Sequence, residues 1–582
     1  MSTEQHQELS SVHSCFGKGL FTPEAQEENI RCYANSQPFR HCCLRPIFNE
    51  GLLGKVRKEL LDYLHFTLKE TDIYKFHQSG DLANLDGLPD HEKAKLQSVQ
   101  KMRDAIYSQE FRDYIDKITG CGPLSGSRTD MSANIYKDGD HLLLHDDAIG
   151  DRRVSYILYM PDPDDEEDHG DWNPENGGAL ELYPRENKGS WAPAVSPTKK
   201  VPPMWNQMAM FIVSPGETHH AVEEIASEKK NKWRLSIQGW FHYPQPGEPG
   251  YRVDQMTDVG EATLKQIEAK ESRKSGEKGD EFVSYEKPVE SVSTPYTQQD
   301  KEYLAKYMNP HYLDKNNLAT ISDAFAEESS VQLGRFLNNN LIEKLLALIG
   351  DIDKEDGMCR SRVPSHGTGE VGRWRAVRSP VLRRFLKLDG ELVSNTAQSH
   401  NQQLPSEVTN RPQPYYDNLE LLSNILADVR DNLFGSEAYA RWLAHVSTLT
   451  LKSRRGIARR FRSGLDYTLA SPEGTSGVLD SVLCLAPRIG ADAEEKWASG
   501  DVGGYECYIS TEDDEDDDAS VYRHASEDTT LLTVPAGWNT LNLVLRDEGI
   551  LRFVKYVSAF APASRWDVAF EYDIDSAGED EE

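Results

Sequence analysis

The sequence predicts an α+β protein with two domains, each made of amphipathic helices followed by a sheet of the sandwich or jelly-roll type. Apolar residues recur at helical spacing over 53–64 and 96–106, as in helices that bury one face. Short β-branched and aromatic runs, separated by Gly, Pro, Asp and Asn clusters, come next and are typical of antiparallel strands. Helices before strands recur after residue 297, which indicates two related or convergent domains.

The strands are expected to be short because turn-forming residues interrupt every apolar run. In the first half their expected limits are 132–136, 154–160, 179–183, 208–213 and 234–242. In the second half a helix is expected around 341–349, and the strands are expected at 529–534, 539–546, 551–557 and 566–572.

Composition sets the expected domain limits at 37–243 and 297–575. Residues 1–36 are polar and mixed, which predicts a tail, with a short docking helix after Pro23 as the alternative. Residues 244–296 are rich in Pro, Lys, Glu and Ser and are interpreted as a linker. The stretches 511–518 and 576–582 are acidic and are expected to form a solvated loop and a tail.

The charge balance excludes some partners. The chain has 582 residues with 64 basic and 96 acidic side chains, a formal net charge of −32, which disfavours direct binding of nucleic acid.

No apolar run approaches the roughly 20 residues of a membrane span. The eight cysteines form no CxxC pair and indicate a reducing compartment. With no signal peptide at the start, the expected location is the nucleus and cytoplasm.

Two His-x-Asp triplets suggest a metal site. His145-Asp146-Asp147 follows an apolar run at the end of an extended segment, whereas His169-Gly170-Asp171 lies in an acidic stretch without a strand pattern. Residues i and i+2 of an extended chain face the same side, so His145 and Asp147 are expected to bind one cation together. The alternative for this pair is a surface His–Asp contact.

A third ligand is expected from His219 or His220, which follow the 208–213 strand. The next strand opens with Arg234 and Ser236 on one side. Two imidazoles and one carboxylate are the ligands of non-haem Fe(II) oxygenases, and a buried arginine suits a dicarboxylate cosubstrate. A cupin-like zinc module without oxidative turnover is the alternative.

The same segments resemble a known family, the 2-oxoglutarate-dependent prolyl hydroxylases that modify a ribosomal decoding-centre protein. The motif YKDGDHLLLHDD at 136–147 carries the likeness. It continues through 74–79, 152–159, 177–183, 215–225, 234–242, 503–506, 539–543 and 546–547. The resemblance therefore spans roughly 37–575.

This resemblance implies two double-stranded β-helix (jelly-roll) domains with packed outer helices, the N-terminal one catalytic and the C-terminal one non-catalytic. The histidines after residue 297 agree, since none has Asp or Glu two residues later. The cofactors implied are Fe(II), 2-oxoglutarate and O2, with ascorbate expected as well. The residues carried over as Fe(II) ligands are His145, Asp147 and His220, and those of the cosubstrate pocket are Arg234, Tyr136, Tyr159 and Ser236.

The implied reaction is C3 hydroxylation of a prolyl residue, with a second hydroxylation as a variant, in a basic small-subunit ribosomal protein, which would affect translation accuracy or termination. His220 is preferred over His219 because the family pattern continues with Val222 and an acidic residue. Trp240 and Phe241 are expected in the core. The alternative function is oxygen-dependent regulation of transcription-factor degradation through a protein partner on the C-terminal domain.

Overall fold

The computed structural model describes residues 12–162, 172–187, 189–227, 232–253, 281–358, 361–377, 379–389, 411–470, 477–510 and 530–575. Contacts divide the chain into two compact units, one mainly before residue 268 and one mainly after it. His169, the acidic loop 511–518 and the tail 576–582 lie outside the described residues. No helix in the described ranges is long and apolar enough to cross a membrane.

The first unit contains a layer of helices on one side of an antiparallel sheet. Its helices are α1 Pro23–Asn35, α2 Glu50–Tyr63, α3 Asp90–Lys93, α4 Gln97–Ile106 and α5 Gln109–Thr119. Its strands are β1 His41–Leu44, β2 Thr67–Glu70, β3 Tyr74–Gln78, β4 Thr129–Tyr136, β5 His141–His145, β6 Arg152–Tyr159, β7 Leu180–Leu182, β8 Lys199–Val201, β9 Gln207–Ile212, β10 His220–Val222 and β11 Arg234–His242.

The strands of the first unit form one curled sheet in the order β1-β9-β6-β11-β4-β3-β5-β10-β7-β8, with β2 paired to β3. Side chains alternate between its two sides. On β4, Met131, Ala133 and Ile135 pack in the main core with the helices, where each fully buried apolar side chain contributes about 1.5–3 kcal/mol. Asn134 and Tyr136 therefore face the opposite, inner side. The predicted jelly-roll fold with outer helices is confirmed.

Two expectations about the ends of this unit are wrong. Residues 12–36 are not a polar tail, because Phe16 and Tyr33 are 3% exposed and belong to the main core. The alternative of a short docking helix after Pro23 is confirmed by α1, which begins at that residue and buries Tyr33. The apolar residues before α1 are too widely spaced to form a periodic pattern, so the docking of Phe16 was not predicted. Residues 244–296 are not only a linker, since part of this stretch, β12 Val283–Val289, pairs with a strand of the second unit.

The second unit repeats the arrangement of helices and sheet. Its helices are α6 Gln298–Leu304, α7 Lys315–Glu328, α8 Asn339–Asp356, α9 Gln413–Asp428, α10 Glu437–Ser447 and α11 Ala493–Ser499. Its further strands are β13 Ser330–Gly334, β14 Trp374–Ala376, β15 Arg383–Arg384, β16 Leu386–Leu388, β17 Leu451–Phe461, β18 Tyr467–Thr468, β19 Val478–Leu485, β20 Glu506–Ser510, β21 Thr530–Val534, β22 Trp538–Arg546, β23 Ile550–Val554 and β24 Arg565–Ile574.

The two units share strand order as well as element types. The central order β9-β6-β11-β4 of the first sheet recurs in the second as β22-β19-β24-β17. A Trp-Asn pair opens the matching strands: Asn206 precedes β9, Asn539 lies in β22, and both have φ of 56°. The side-chain oxygen of Asn206 accepts hydrogen bonds from the backbone of Ile47 and Phe48, and that of Asn539 accepts one from Leu337. In each unit this contact precedes a helix, α2 or α8.

Candidate active site

His145, Asp147 and His220 meet on the inner side of the first sheet. His145 is the last residue of β5 and His220 the first of β10, and the two residues are partners in the antiparallel register. Asp147 lies two residues beyond β5. One ligand atom from each side chain lies within 4.8 Å of the others, and all three residues are buried. Among the described residues, these three form the one group of three or more His, Cys, Asp or Glu side chains that could hold a metal ion.

Backbone carbonyls orient both imidazoles. The Nδ1 of His145 lies 2.8 Å from the carbonyl oxygen of Leu143, and the Nδ1 of His220 lies 2.9 Å from that of Thr218. A proton on each Nδ1 satisfies these contacts and leaves Nε2 as the ligand atom, the usual arrangement behind metal-binding histidines. The two Nε2 atoms lie 3.4 and 3.3 Å from the two carboxylate oxygens of Asp147.

Asp147 reaches the site by a different route from the one expected. It is not extended but has a positive φ of 59°, so the turn after β5, not strand alternation, directs its carboxylate toward His145. Ser155 of β6 donates a 2.6 Å hydrogen bond to the Asp147 Oδ2. Sequence reasoning missed Ser155, although alternation along β6 places it on the same side as Tyr159.

The electrostatics of the cluster shift the pKa values of Asp147 and His220. Burial alone would raise the pKa of Asp147, but the two imidazoles outweigh it and hold that pKa well below its usual value. Burial alone would lower the pKa of His220, and the Asp147 carboxylate outweighs it and raises that pKa. The site is therefore built around a fixed negative charge. Two imidazole nitrogens and one carboxylate oxygen fit Fe(II) and leave further coordination positions for other ligands.

Arg234 is the second charged group on the inner side. It is 1% exposed, and its guanidinium lies 4.8 Å from the ring centre of Tyr136 and 4.9 Å from that of Tyr159. Its Nε and Nη1 have no hydrogen-bond partner, and it makes no ion pair with any residue that the structure describes. A buried cation without a counter-charge is costly, so this position suits an anionic ligand.

Other polar groups converge near Arg234. In the register, Arg234 lies opposite Tyr136, and Ser236 lies opposite both Asn134 and Tyr159. The hydroxyls of Tyr136, Tyr159 and Ser236 are buried without a partner within the described ranges, and so are both amide atoms of Asn134. Burial raises the pKa of each tyrosine, which keeps both phenols neutral as hydrogen-bond donors. Asn134 was missed, although it lies two residues before Tyr136 on the same strand.

The choice between the neighbouring histidines has a structural answer. The structure brings His220, not His219, together with His145 and Asp147. His219 is 1% exposed, and burial lowers its pKa to about 4.

Trp240 and Phe241 were both expected in the core, but only Phe241 is a core residue. Trp240 is only partly buried, and the Arg152 guanidinium lies 3.6 Å from its ring centre. The register places Trp240 opposite Ser155, so it lies on the Arg234 side of β11, nearer the strand's other end. Phe241 is fully buried against the helices.

The segment 74–79 is mainly strand β3, whose Phe76 ring lies 5.2 Å from that of Tyr136.

Residues 131–242 match the 2OG-Fe(II) oxygenase superfamily, and residues 299–581 match a family described as "Oxoglutarate and iron-dependent oxygenase degradation C-term". The chain is 33% identical to the prolyl 3,4-dihydroxylase OGFOD1 of Ostreococcus tauri, over 92% of this chain and 95% of that protein. It is 27% identical to the prolyl 3-hydroxylase OGFOD1 of Xenopus laevis, over 92% and 88%. A solved Pseudomonas putida prolyl 4-hydroxylase matches 37% of this chain and 98% of its own, with 18% identity and a TM-score of 0.23.

Proposed function

The chain belongs to the OGFOD1 family of prolyl hydroxylases, oxygenases that use Fe(II), 2-oxoglutarate and O2, and we propose that its substrate is a prolyl residue of a basic small-subunit ribosomal protein. The assignment of the site rests on one observation. A buried His-Asp-His cluster and a buried arginine without a counter-charge among the described residues lie on the same inner side of the first sheet.

In this proposal His145, Asp147 and His220 hold Fe(II). When bound, the metal supplies the oxygen chemistry of hydroxylation, driven by oxidative decarboxylation of 2-oxoglutarate to succinate. The chain's own contribution is to fix the ligands. Ser155 holds one oxygen of Asp147, and the backbone carbonyls of Leu143 and Thr218 hold the two imidazoles.

Arg234 binds the distal carboxylate of 2-oxoglutarate in this proposal. Charge-assisted hydrogen bonds from a guanidinium are strong and directional, and the flanking Tyr136 and Tyr159 rings keep water from the cation. The unpartnered hydroxyls of Tyr136, Tyr159 and Ser236 and the amide of Asn134 offer further hydrogen bonds to the cosubstrate.

The substrate is proposed to lie across Trp240 and Arg152. Apolar contact with the indole ring suits a proline side chain, and the Arg152 guanidinium beside that ring can donate to a peptide carbonyl. The net charge of −32 supports a basic protein, because opposite charge accelerates association.

The relatives are named prolyl 3-hydroxylase and prolyl 3,4-dihydroxylase. We therefore propose C3 hydroxylation here. The mass-spectrometric test shows whether a second hydroxyl group is added. An effect on translation accuracy or termination, use of ascorbate to maintain the iron, and a location in the nucleus and cytoplasm are parts of the same proposal.

The test is anaerobic incubation of the full chain with Fe(II), 2-oxoglutarate and a proline-bearing peptide of a basic ribosomal protein, followed by air. Hydroxylation adds about 16 Da per event, and fragmentation by mass spectrometry locates the modified carbon. The controls are the same peptide with its proline replaced by alanine, and a reaction with Zn(II) in place of Fe(II). A chain that turns over 2-oxoglutarate with other peptides but never modifies a ribosomal one contradicts the substrate proposal.

A second function is favoured by the match of residues 299–581 to a family whose name includes degradation. In this alternative the C-terminal unit binds a protein partner and controls the breakdown of a transcription factor in response to oxygen. An Asp147→Ala chain that has lost turnover but retains this regulation would support it.

A further inference from the structure

The second unit contains a counterpart of the Arg234 pocket. Arg565 opens β24 as Arg234 opens β11, and each arginine is 1% exposed. Arg234 lies opposite Tyr136 in the register, and Arg565 lies opposite Phe461, whose ring centre is 5.2 Å from the guanidinium. Both arginines thus sit beside an aromatic residue that ends the neighbouring strand.

A pair of glycines approaches each arginine in the same way. Gly177 and Gly178 have φ of 69° and 73°, and Gly503 and Gly504 have the same two values. A Cβ on Gly178 would lie 3.7 Å from Arg234 Cδ, and one on Gly504 would lie 3.5 Å from Arg565 Cδ. This backbone needs glycine, so the second unit retains the geometry of the pocket.

The residues two positions beyond these glycines differ. In the first unit this residue is the apolar Leu180, and in the second it is Glu506. Leu180 pairs in register with Val222, and Glu506 pairs with Val554, so the two positions correspond. Glu506 is 1% exposed, and its Oε1 accepts a 2.6 Å hydrogen bond from Arg565. Arg565 also pairs with Asp567, two residues further along β24. The anion-binding group of the second unit is therefore already paired.

The position of the third metal ligand is also changed. Counting from Val222 and Val554, the counterpart of His220 is Arg552. Arg552 lies 3.0 Å from Glu506 and 3.1 Å from Asp480. Where the first unit places three groups suited to a cation, the second places a cation of its own, with carboxylates on both sides.

We infer that the second unit is a self-liganded copy of the first: the Glu506 carboxylate takes the place of a bound dicarboxylate on Arg565, and the Arg552 guanidinium takes the place of a bound metal ion. Buried charges that already have counter-charges within the protein need no external ion to neutralise them. The second unit then retains the folded shape of a liganded oxygenase pocket at every concentration of metal and 2-oxoglutarate.

Reciprocal substitutions in the full chain test this correspondence. Glu506→Leu should leave Arg565 with Asp567 alone, a carboxylate that Arg565 shares with Arg459, and should add a second binding site for succinate, measured by calorimetry without metal. Leu180→Glu should give Arg234 an internal partner and weaken 2-oxoglutarate binding at least tenfold, whereas the uncharged Leu180→Gln should weaken it much less. Folded Glu506→Leu without a second site, or folded Leu180→Glu that binds like the wild-type chain, overturns the inference.

A stability measurement covers variants that fold poorly. Glu506→Leu and Arg565→Met should each lower the unfolding temperature of the chain, since each removes one partner of a buried charge. The double variant should recover part of the loss because neither charge remains. Strictly additive losses in the single and double variants would mean that Glu506 does not act as the ligand of Arg565, and would overturn the inference.

Discussion

The Ser155 hydroxyl donates a 2.6 Å hydrogen bond to the Oδ2 of Asp147, the carboxylate that faces both His145 and His220. This bond fixes the rotation of the carboxylate. Groups that orient metal ligands typically contribute 10–100-fold to metal affinity. We expect Ser155→Ala to weaken Fe(II) or Mn(II) binding by about that factor, measured by calorimetry and by the metal requirement of turnover. Ser132→Ala, which removes a hydroxyl of β4 bonded to Gln78, should change neither value.

The neighbouring histidines should respond differently to substitution. His220→Ala removes a group of the buried cluster and should abolish metal-dependent 2-oxoglutarate turnover. His219→Ala should retain metal binding at one ion per chain, because His219 is outside the cluster. Stoichiometry measured with Mn(II) separates the two variants. A His219→Ala chain that has lost its metal while remaining folded would reverse the assignment.

Arg234 and Asn134 should affect the cosubstrate to different degrees. Arg234→Met removes a charged donor, worth about 1.5–3 kcal/mol per hydrogen bond, so the 2-oxoglutarate requirement should rise at least about tenfold. Asn134→Ala removes neutral donors and should raise it by about threefold to tenfold. Both effects are read from initial rates at varied 2-oxoglutarate. Unchanged rates with Asn134→Ala would mean that its amide is not a cosubstrate contact.

Trp240 should affect the peptide and not the cosubstrate. Trp240→Ala is expected to raise the peptide KM by roughly 30-fold, the usual effect of a lost aromatic anchor of about 2 kcal/mol, while turnover of 2-oxoglutarate without peptide continues. Arg152→Gln should give a smaller effect in the same direction. Parallel loss of both activities in Trp240→Ala would point to a structural role instead.

Glu248 gives a prediction for stability and pH. Its carboxylate accepts hydrogen bonds from the backbone of Gly126, Ser127 and Gln245. Burial alone would raise the pKa of Glu248, but these bonds outweigh it and lower the pKa to about 2. The stabilisation is therefore complete above the ordinary pKa of 4.5 and is lost as the pH falls toward 2.

Glu248→Gln should cost about 1–2 kcal/mol at neutral pH, and the difference from the wild-type chain should shrink on acidification. Thermal unfolding of both proteins between about pH 7 and pH 3 measures it. A constant difference over this range would contradict the role of the charge.

Much of the site could be predicted because strand alternation and motif order are local properties. β11 has the predicted limits, and Arg234 and Ser236 lie on one side of it as predicted, with Tyr136 opposite Arg234 in the register. The carboxylate of Asp147 is placed by a left-handed backbone conformation. The sequence does not predict this conformation, because it is uncommon for a residue other than glycine. The partnership of Ser155 with Asp147 depends on how a turn folds back on β6, which periodicity cannot give.

Long-range docking was the harder part of the fold. Nothing in the composition of residues 12–36 indicates that Phe16 stacks on Phe48 and Phe111. Likewise, β12 has exposed, polar residues at most of its positions, so only its pairing with β17 identifies it as a strand.

The Trp-Asn contacts have a consequence for local unfolding. Asn206 is bonded to the backbone just before α2 and directly precedes β9, and Asn539 links Leu337, just before α8, to β22. Separating either helix from its sheet breaks these side-chain bonds at the same moment. The amides of α2 and β9 should then exchange with solvent deuterium as one cooperative group, as should those of α8 and β22.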